Sequence, residues 1–90
     1  MKIMAVCGSG LGSSFMLEMN IKKVLNELGV KAEVAHTDLA SVTPADADIF
    51  VMSKDLVGSS PVPCIALSSI INVGEIKEKL SEEFKKRGIL

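Results

Sequence analysis

Apolar and polar positions along the chain alternate between strand and helix rhythms. Residues 2–7, KIMAVC, are apolar on both faces and carry no proline, which predicts a central parallel strand that ends on Cys7. From Ser13 to Leu28 the residues Leu17, Ile21, Val24, Leu25 and Leu28 recur at steps of 4, 3, 1 and 3, one face of a helix, and Gly29 supplies its stop. Residues 31–36, KAEVAH, alternate and read as a second strand, with His36, Thr37 and Asp38 at its end. Residues 48–52 read as a third, strongly apolar strand. Residues 53–62, rich in Gly, Ser and Pro, leave room for one helical turn, and residues 63–67 read as a fourth strand with proline at an edge position. Asn72 and Glu75 form a capping-box pattern, and Val73, Ile76, Leu80 and Phe84 mark a last helical face running to Gly88.

Strands separated by crossover-length connections predict an α/β fold: an open four-stranded parallel sheet of order 2-1-3-4 with helices on both faces, formed as one domain from residues 1–90. In that order the first strand is central and the chain reverses direction beside it. Ligands of such Rossmann-like sheets bind beyond the carboxyl ends of the strands at the reversal, where Cys7 falls. Cys64 lies near the start of its own strand, toward the opposite edge. A disulfide, a two-cysteine metal site or any other metal centre is therefore not expected, and Cys64 reads as a small buried apolar residue.

Phe15, Met16 and Met19 do not all fit the apolar stripe of the first helix. They either widen its buried face, methionine being a common core filler, or form an exposed patch suited to a protein partner. Composition narrows the partners. The net charge of −1 gives no basic excess for nucleic acid, and with Phe15, Phe50 and Phe84 as the only aromatic residues a base- or sugar-stacking surface is poorly supplied. No apolar run approaches a membrane span and none resembles a signal peptide, so the expectation is a cytoplasmic protein with free thiols and no direct membrane insertion.

The chemistry concentrates in CGSGLGSS, residues 7–14. Gly8, Gly10 and Gly12 between a strand and a helix start predict an anion site, in which backbone N–H groups converge with the positive end of the helix dipole. That setting is also expected to lower the pKa of Cys7. Ser9, Ser13 and Ser14 offer hydroxyl donors, with helix capping an equal alternative for Ser13 and Ser14. No lysine occurs between Lys2 and Lys22, which removes a triphosphate loop, and serine at position 13 removes the dinucleotide fingerprint. A cysteine-phosphatase loop, which places arginine six residues after the cysteine, fails at the same Ser13. Without the arginine that clamps the transition state, the loop describes a phosphoryl carrier better than a hydrolase. His36, Thr37, Asp38, Ser53 and Lys54 share the predicted rim.

The run CGSGLGSS followed by FMLEMNIKKVL resembles the start of the B components of enzyme II in the bacterial phosphoenolpyruvate-dependent sugar phosphotransferase system, most closely the ascorbate-type group. The resemblance implies a cytoplasmic phosphotransferase with a fold similar to the cysteine-phosphatase type. It implies phosphorylation of Cys7 by a phosphohistidine of a IIA partner, and passage of the group to a sugar held by a membrane IIC partner. It also implies a phosphate loop of Gly8, Ser9, Gly10, Leu11, Gly12, Ser13 and Ser14, with no cofactor. A small cysteine phosphatase or arsenate-handling enzyme, or a phosphorylation-sensing regulatory module, stands as the alternative.

Overall fold

The computed structural model describes residues 1–8, 11–58, 60 and 62–90, with 11–14 described in their backbone alone. The chain runs β1 (Lys2–Cys7), α1 (Leu11–Leu28), β2 (Glu33–Asp38), β3 (Ile49–Ser53), α2 (Lys54–Val57), β4 (Ile65–Leu67) and α3 (Val73–Lys86). The four strands form one parallel sheet in the order β2-β1-β3-β4. Right-handed crossovers then dictate the layers, because α1 joins strands stepping one way across the sheet and α2 joins strands stepping the other way.

The two faces are covered unequally. Ile3 and Ala5 of β1, with Ile49, Val51 and Leu67, meet Leu17, Ile21, Val24 and Leu25 of α1 and Ile76, Leu80 and Phe84 of α3. Met4, Val6, Phe50 and Met52 point to the other face. There they meet Val42, Val62 and the half-buried Leu56 and Val57, so one helical turn and connecting loops do the covering.

Element ends shift from expectation for local reasons. Helix α1 begins at Leu11, two residues before the expected start, so the glycine-rich connection is shorter and Gly12, Ser13 and Ser14 lie in the first helical turn. The first N–H groups of a helix need no intrahelical acceptor, so small residues are tolerated there. Strand β2 runs to Asp38 because Val6 and Cys7 of β1 pair with Thr37 and Asp38. Strand β4 begins only at Ile65, after Pro63.

At its far end α1 closes as expected on Gly29, whose φ of +71° is left-handed. Val30 N–H donates to the Leu25 carbonyl at 3.0 Å and Gly29 N–H to that of Asn26 at 3.4 Å, a Schellman ending. Helix α3 starts at the expected cap, with Asn72 Oδ1 accepting from Glu75 N–H at 3.1 Å. The reciprocal half of the capping box is replaced. Glu75 instead accepts from the N–H groups of Ser68 and Ser69, at 2.9 and 3.1 Å, which ties the β4–α3 connection to the helix start.

Candidate functional site

Cys7 is the last residue of the central strand, at the carboxyl edge beside the reversal between β2 and β3. By alternation its side chain shares the face of Ile3 and Ala5, the face that α1 covers. Its carbonyl accepts from Leu39 N–H at 2.8 Å, which holds the strand end beside β2. The residue is only 7% exposed. Burial pushes the Cys7 thiol up, not down as the sequence led one to expect. The physical reason is desolvation: the thiol sits inside the sheet edge, where the charged thiolate loses water.

Gly8 follows, and its environment explains the glycine in an unforeseen way. A Cβ at Gly8 would stand 2.9 Å from Leu56 Cδ2, so α2 of the opposite face presses directly against the backbone next to the thiol. Ser9 and Gly10, both expected in the phosphate loop, lie outside the described residues. The side chains of Leu11, Ser13 and Ser14 do so too, while their backbone and that of Gly12 belong to the first turn of α1.

The expected rim residues divide into several local roles. Asp38 pairs in register with Cys7, and its Oδ1 accepts from Ser41 N–H at 2.8 Å, closing the turn after β2. Ser53 caps α2, its hydroxyl accepting from Asp55 N–H at 3.5 Å. Lys54 opens α2 with an exposed side chain, and Thr37 is half-buried. His36 turns its Nδ1 to Glu18 of α1, with its ring 6.0 Å from that of Phe15.

That contact was not foreseen. Glu18 is 8% exposed and also meets Lys22 Nζ at 2.8 Å. Burial alone would raise its pKa, but hydrogen bonds from Lys22 and His36 together with their charges hold the carboxyl below the usual range. The signal was present in the spacing: Glu18, Ile21 and Leu25 lie on one helical stripe, so a carboxylate stood among apolar residues in a chain with one histidine.

Phe15, Met16 and Met19 are exposed by 52, 48 and 55%, which decides between the two readings of these residues: they are a surface patch, not core. They project from the part of α1 nearest the Cys7 edge. Cys64 lies at the other edge, just before β4, unpaired and half-buried against the second-face cluster. Burial raises its thiol, and a hydrogen bond with Ser60 draws it partly back. A cleft of about 350 Å³ also opens at that edge, between Pro44, Ala47, Pro63, Cys64 and Arg87, remote from Cys7. Among the described residues no helix is long and apolar enough to cross a membrane.

Comparisons with known proteins bear on this arrangement. The family model described as "PTS system, Lactose/Cellobiose specific IIB subunit" matches residues 2–82. The ascorbate-specific PTS system EIIB component of Mycoplasma pneumoniae is 27% identical over 86 residues, covering 89% of this chain and 90% of its own. The mannitol-specific cryptic EIICB component of Escherichia coli K12 is 42% identical over 57 residues, which are 63% of this chain but 12% of that protein. In structure, the solution form of an Enzyme IIB subunit of a PTS system from Escherichia coli K12 superposes with a TM-score of 0.55 at 20% identity, covering 97% of this chain and 94% of that one. The last likeness concerns the fold.

Proposed function

Because the chain belongs to the IIB family of phosphotransferase-system subunits, we propose that Cys7 is its phosphoryl-carrying residue. The observation that carries this reading is the place of Cys7: last in the central strand, at the sheet reversal, and immediately before the turn into α1. The backbone N–H groups from Gly8 through Ser14 form the cradle, helped by the N-terminal dipole of α1 and by the hydroxyls of Ser9, Ser13 and Ser14.

The donor is a phosphohistidine of a IIA protein. The Cys7 sulfur attacks phosphorus in line, the S–P bond forms as the N–P bond breaks, and the thiol proton passes to the departing imidazole nitrogen. The departing imidazole nitrogen is the base for the thiol proton, so this chain need supply no other. In the second step a sugar hydroxyl attacks the same phosphorus and sulfur leaves, recovering a proton from the hydroxyl. A buried thiol without the arginine of a phosphatase holds the group until that hydroxyl arrives. Transfer, not hydrolysis, is the outcome favoured by serine at position 13.

The sugar is held by a membrane IIC protein, and this chain works on the cytoplasmic side. The EIICB name of the mannitol relative supports the pairing of C and B parts. An ascorbate-like sugar is favoured by the near full-length similarity to the ascorbate-specific component. Phe15, Met16 and Met19 supply an apolar docking patch beside the cysteine.

The test is intact mass after incubation with phosphoenolpyruvate, the general phosphotransferase proteins and a IIA component. One phosphoryl adduct is expected, lost in Cys7→Ser and kept in Cys64→Ser. Adding membranes with the IIC partner and ascorbate should discharge it, and mannitol should not. Steady turnover of an aryl phosphate with no adduct from any donor would overturn the carrier reading.

A further inference from the structure

Glu18 is the one charged side chain buried among the described residues. A carboxylate withdrawn from water loses hydration, and a well-packed apolar residue at such a place is commonly as stable or more so. An apolar side chain would suit the stripe formed by Leu17, Ile21 and Leu25. The charge is retained because both oxygens are paired: Oε2 with Lys22 Nζ at 2.8 Å along the same helix, and Oε1 with His36 Nδ1 from β2. A carboxylate accepts only, so Nδ1 carries the proton of that bond.

The two pairings do different work. Lys22 lies on α1 itself and restrains nothing between elements. His36 belongs to the sheet, two residues before Asp38, which lies in register with Cys7. Glu18 stands two turns into α1 from its first residue, and Phe15, between them in sequence, meets the His36 ring. The contact therefore ties the thiol-proximal half of α1 to β2. On either side of it Leu17, Ile21, Val24 and Leu25 hold the helix by apolar contact, which tolerates small slides and rotations. A directional hydrogen bond does not, because such a motion parts Nδ1 from Oε1 and leaves that oxygen of the buried Glu18 without its partner, Lys22 holding only the other.

We propose that the Glu18–His36 pair is a positioning pair for phosphoryl transfer at Cys7: it sets the height and rotation of α1 on the sheet, and with them the aim of the first-turn amides of α1 at the phosphoryl group. The proposal rests on Cys7 as the carrier. Neither residue touches the reacting atoms. Their effect is on alignment, to which phosphoryl transfer is sensitive because the protein supplies placement more than covalent chemistry.

The experiment uses the Cys64→Ser chain as background, so that every signal reports Cys7. Single-turnover phosphorylation by a phosphorylated IIA protein gives a saturating rate and a half-saturating donor concentration. Glu18→Leu and His36→Ala should lower the saturating rate about 10- to 100-fold, and Glu18→Leu, which leaves Phe15 its contact with the His36 ring, should leave the half-saturating concentration unchanged. His36→Asn places an amide N–H where Nδ1 stands and should restore most of the rate. Glu18→Leu should melt no lower than the parent, which separates alignment from stability.

Alkylation of Cys7 by iodoacetamide, followed by mass, gives a readout that needs no partner. Its rate should change several-fold in Glu18→Leu and His36→Ala, and return toward the parent value in His36→Asn. Parental saturating rates in Glu18→Leu and His36→Ala overturn the proposal, as does an effect confined to the half-saturating concentration. If the parent accepts no phosphoryl group, the carrier reading fails. The alkylation series then decides the pair alone, and unchanged rates overturn it.

Discussion

The two faces of the sheet are built differently, although both bury the same kind of apolar strand residue. On one face α1 and α3 pack Leu17, Ile21, Leu80 and Phe84 against Ile3 and Val51. On the other, Met4, Val6, Phe50 and Met52 are covered by loop residues and the single turn of α2. The helical face is rigid because its covering side chains sit on long hydrogen-bonded elements. The loop face can relax, since Val42 and Val62 lie in irregular connections and Leu56 on a single helical turn. Cys7 lies where the two meet: its side chain shares the helical face, while Gly8 is pressed by Leu56 from the loop face. The rigid side thus fixes the helix that leads from the thiol, and the softer side sets the room beside it.

Truncation of a buried side chain on each face is the strongest way to break this contrast. Phe84→Ala, within the helical core, should cost about 3–5 kcal/mol, because α1, α3 and the sheet cannot close around the vacated space. Met52→Ala, equally buried on the loop face, should cost only about 2 kcal/mol, because its neighbours can collapse inward. Urea unfolding of the two variants reads the difference directly. Equal losses would show that both faces are equally rigid and remove the basis of the comparison.

A smaller effect sharpens it at the site. Gly8→Ala sets a methyl 2.9 Å from Leu56 Cδ2, the far end of a side chain able to rotate, with no positive φ at Gly8 to strain the backbone. The stability loss should therefore stay near 1 kcal/mol. Phosphorylation of Cys7 should fall by more than that loss explains, because relieving the contact with Leu56 shifts the Gly8 backbone, whose N–H belongs to the proposed cradle. Gly8→Ala with Leu56→Ala should recover the rate, since the second change vacates the space the methyl needs. Rate loss that persists in the double variant would place the defect in the loop backbone instead of the contact with α2.

How much of this was legible in the sequence follows the same division. Strand order and the helical face were readable because Leu17, Ile21, Val24 and Leu25, and likewise Ile76, Leu80 and Phe84, repeat at helical spacing that only one packing satisfies. The position of Cys7 followed from the order 2-1-3-4. The loop face has no period to read, so the approach of Leu56 to Gly8, a contact between residues 48 apart, left no local trace. The pKa of Cys7 was misjudged for a related reason. A helix start and glycines are visible locally, whereas the depth of the thiol depends on covering residues from elsewhere in the chain. Phe15, Met16 and Met19 could not be assigned to core or surface until α1 had a fixed rotation, and the Glu18–His36 contact helps to supply it.

The smallest effect concerns that contact and is read by pH. Glu18 has its carboxyl pKa below the usual range: burial opposes this, but hydrogen bonds from Lys22 and His36 more than offset it. A folded-state pKa depressed below the unfolded value means stability that is fully present above the unfolded value, about 4.3 for glutamate, and lost as pH falls through the folded value. The stability gap between the parent and Glu18→Gln should therefore narrow by about 1 kcal/mol as the pH is lowered beneath 4. Glu75 also has a lowered pKa, first through its bond from Ser68 N–H, but it lies at an exposed helix start and makes no link between α1 and β2. Glu75→Gln should narrow its own gap in the same acid range while leaving alkylation of Cys7 unaltered, whereas Glu18→Gln should change both. A gap for Glu18→Gln that stays flat to pH 3, measured by urea unfolding, would mean that the carboxylate contributes nothing as a charge, and the helical face would then owe its rigidity to apolar packing alone.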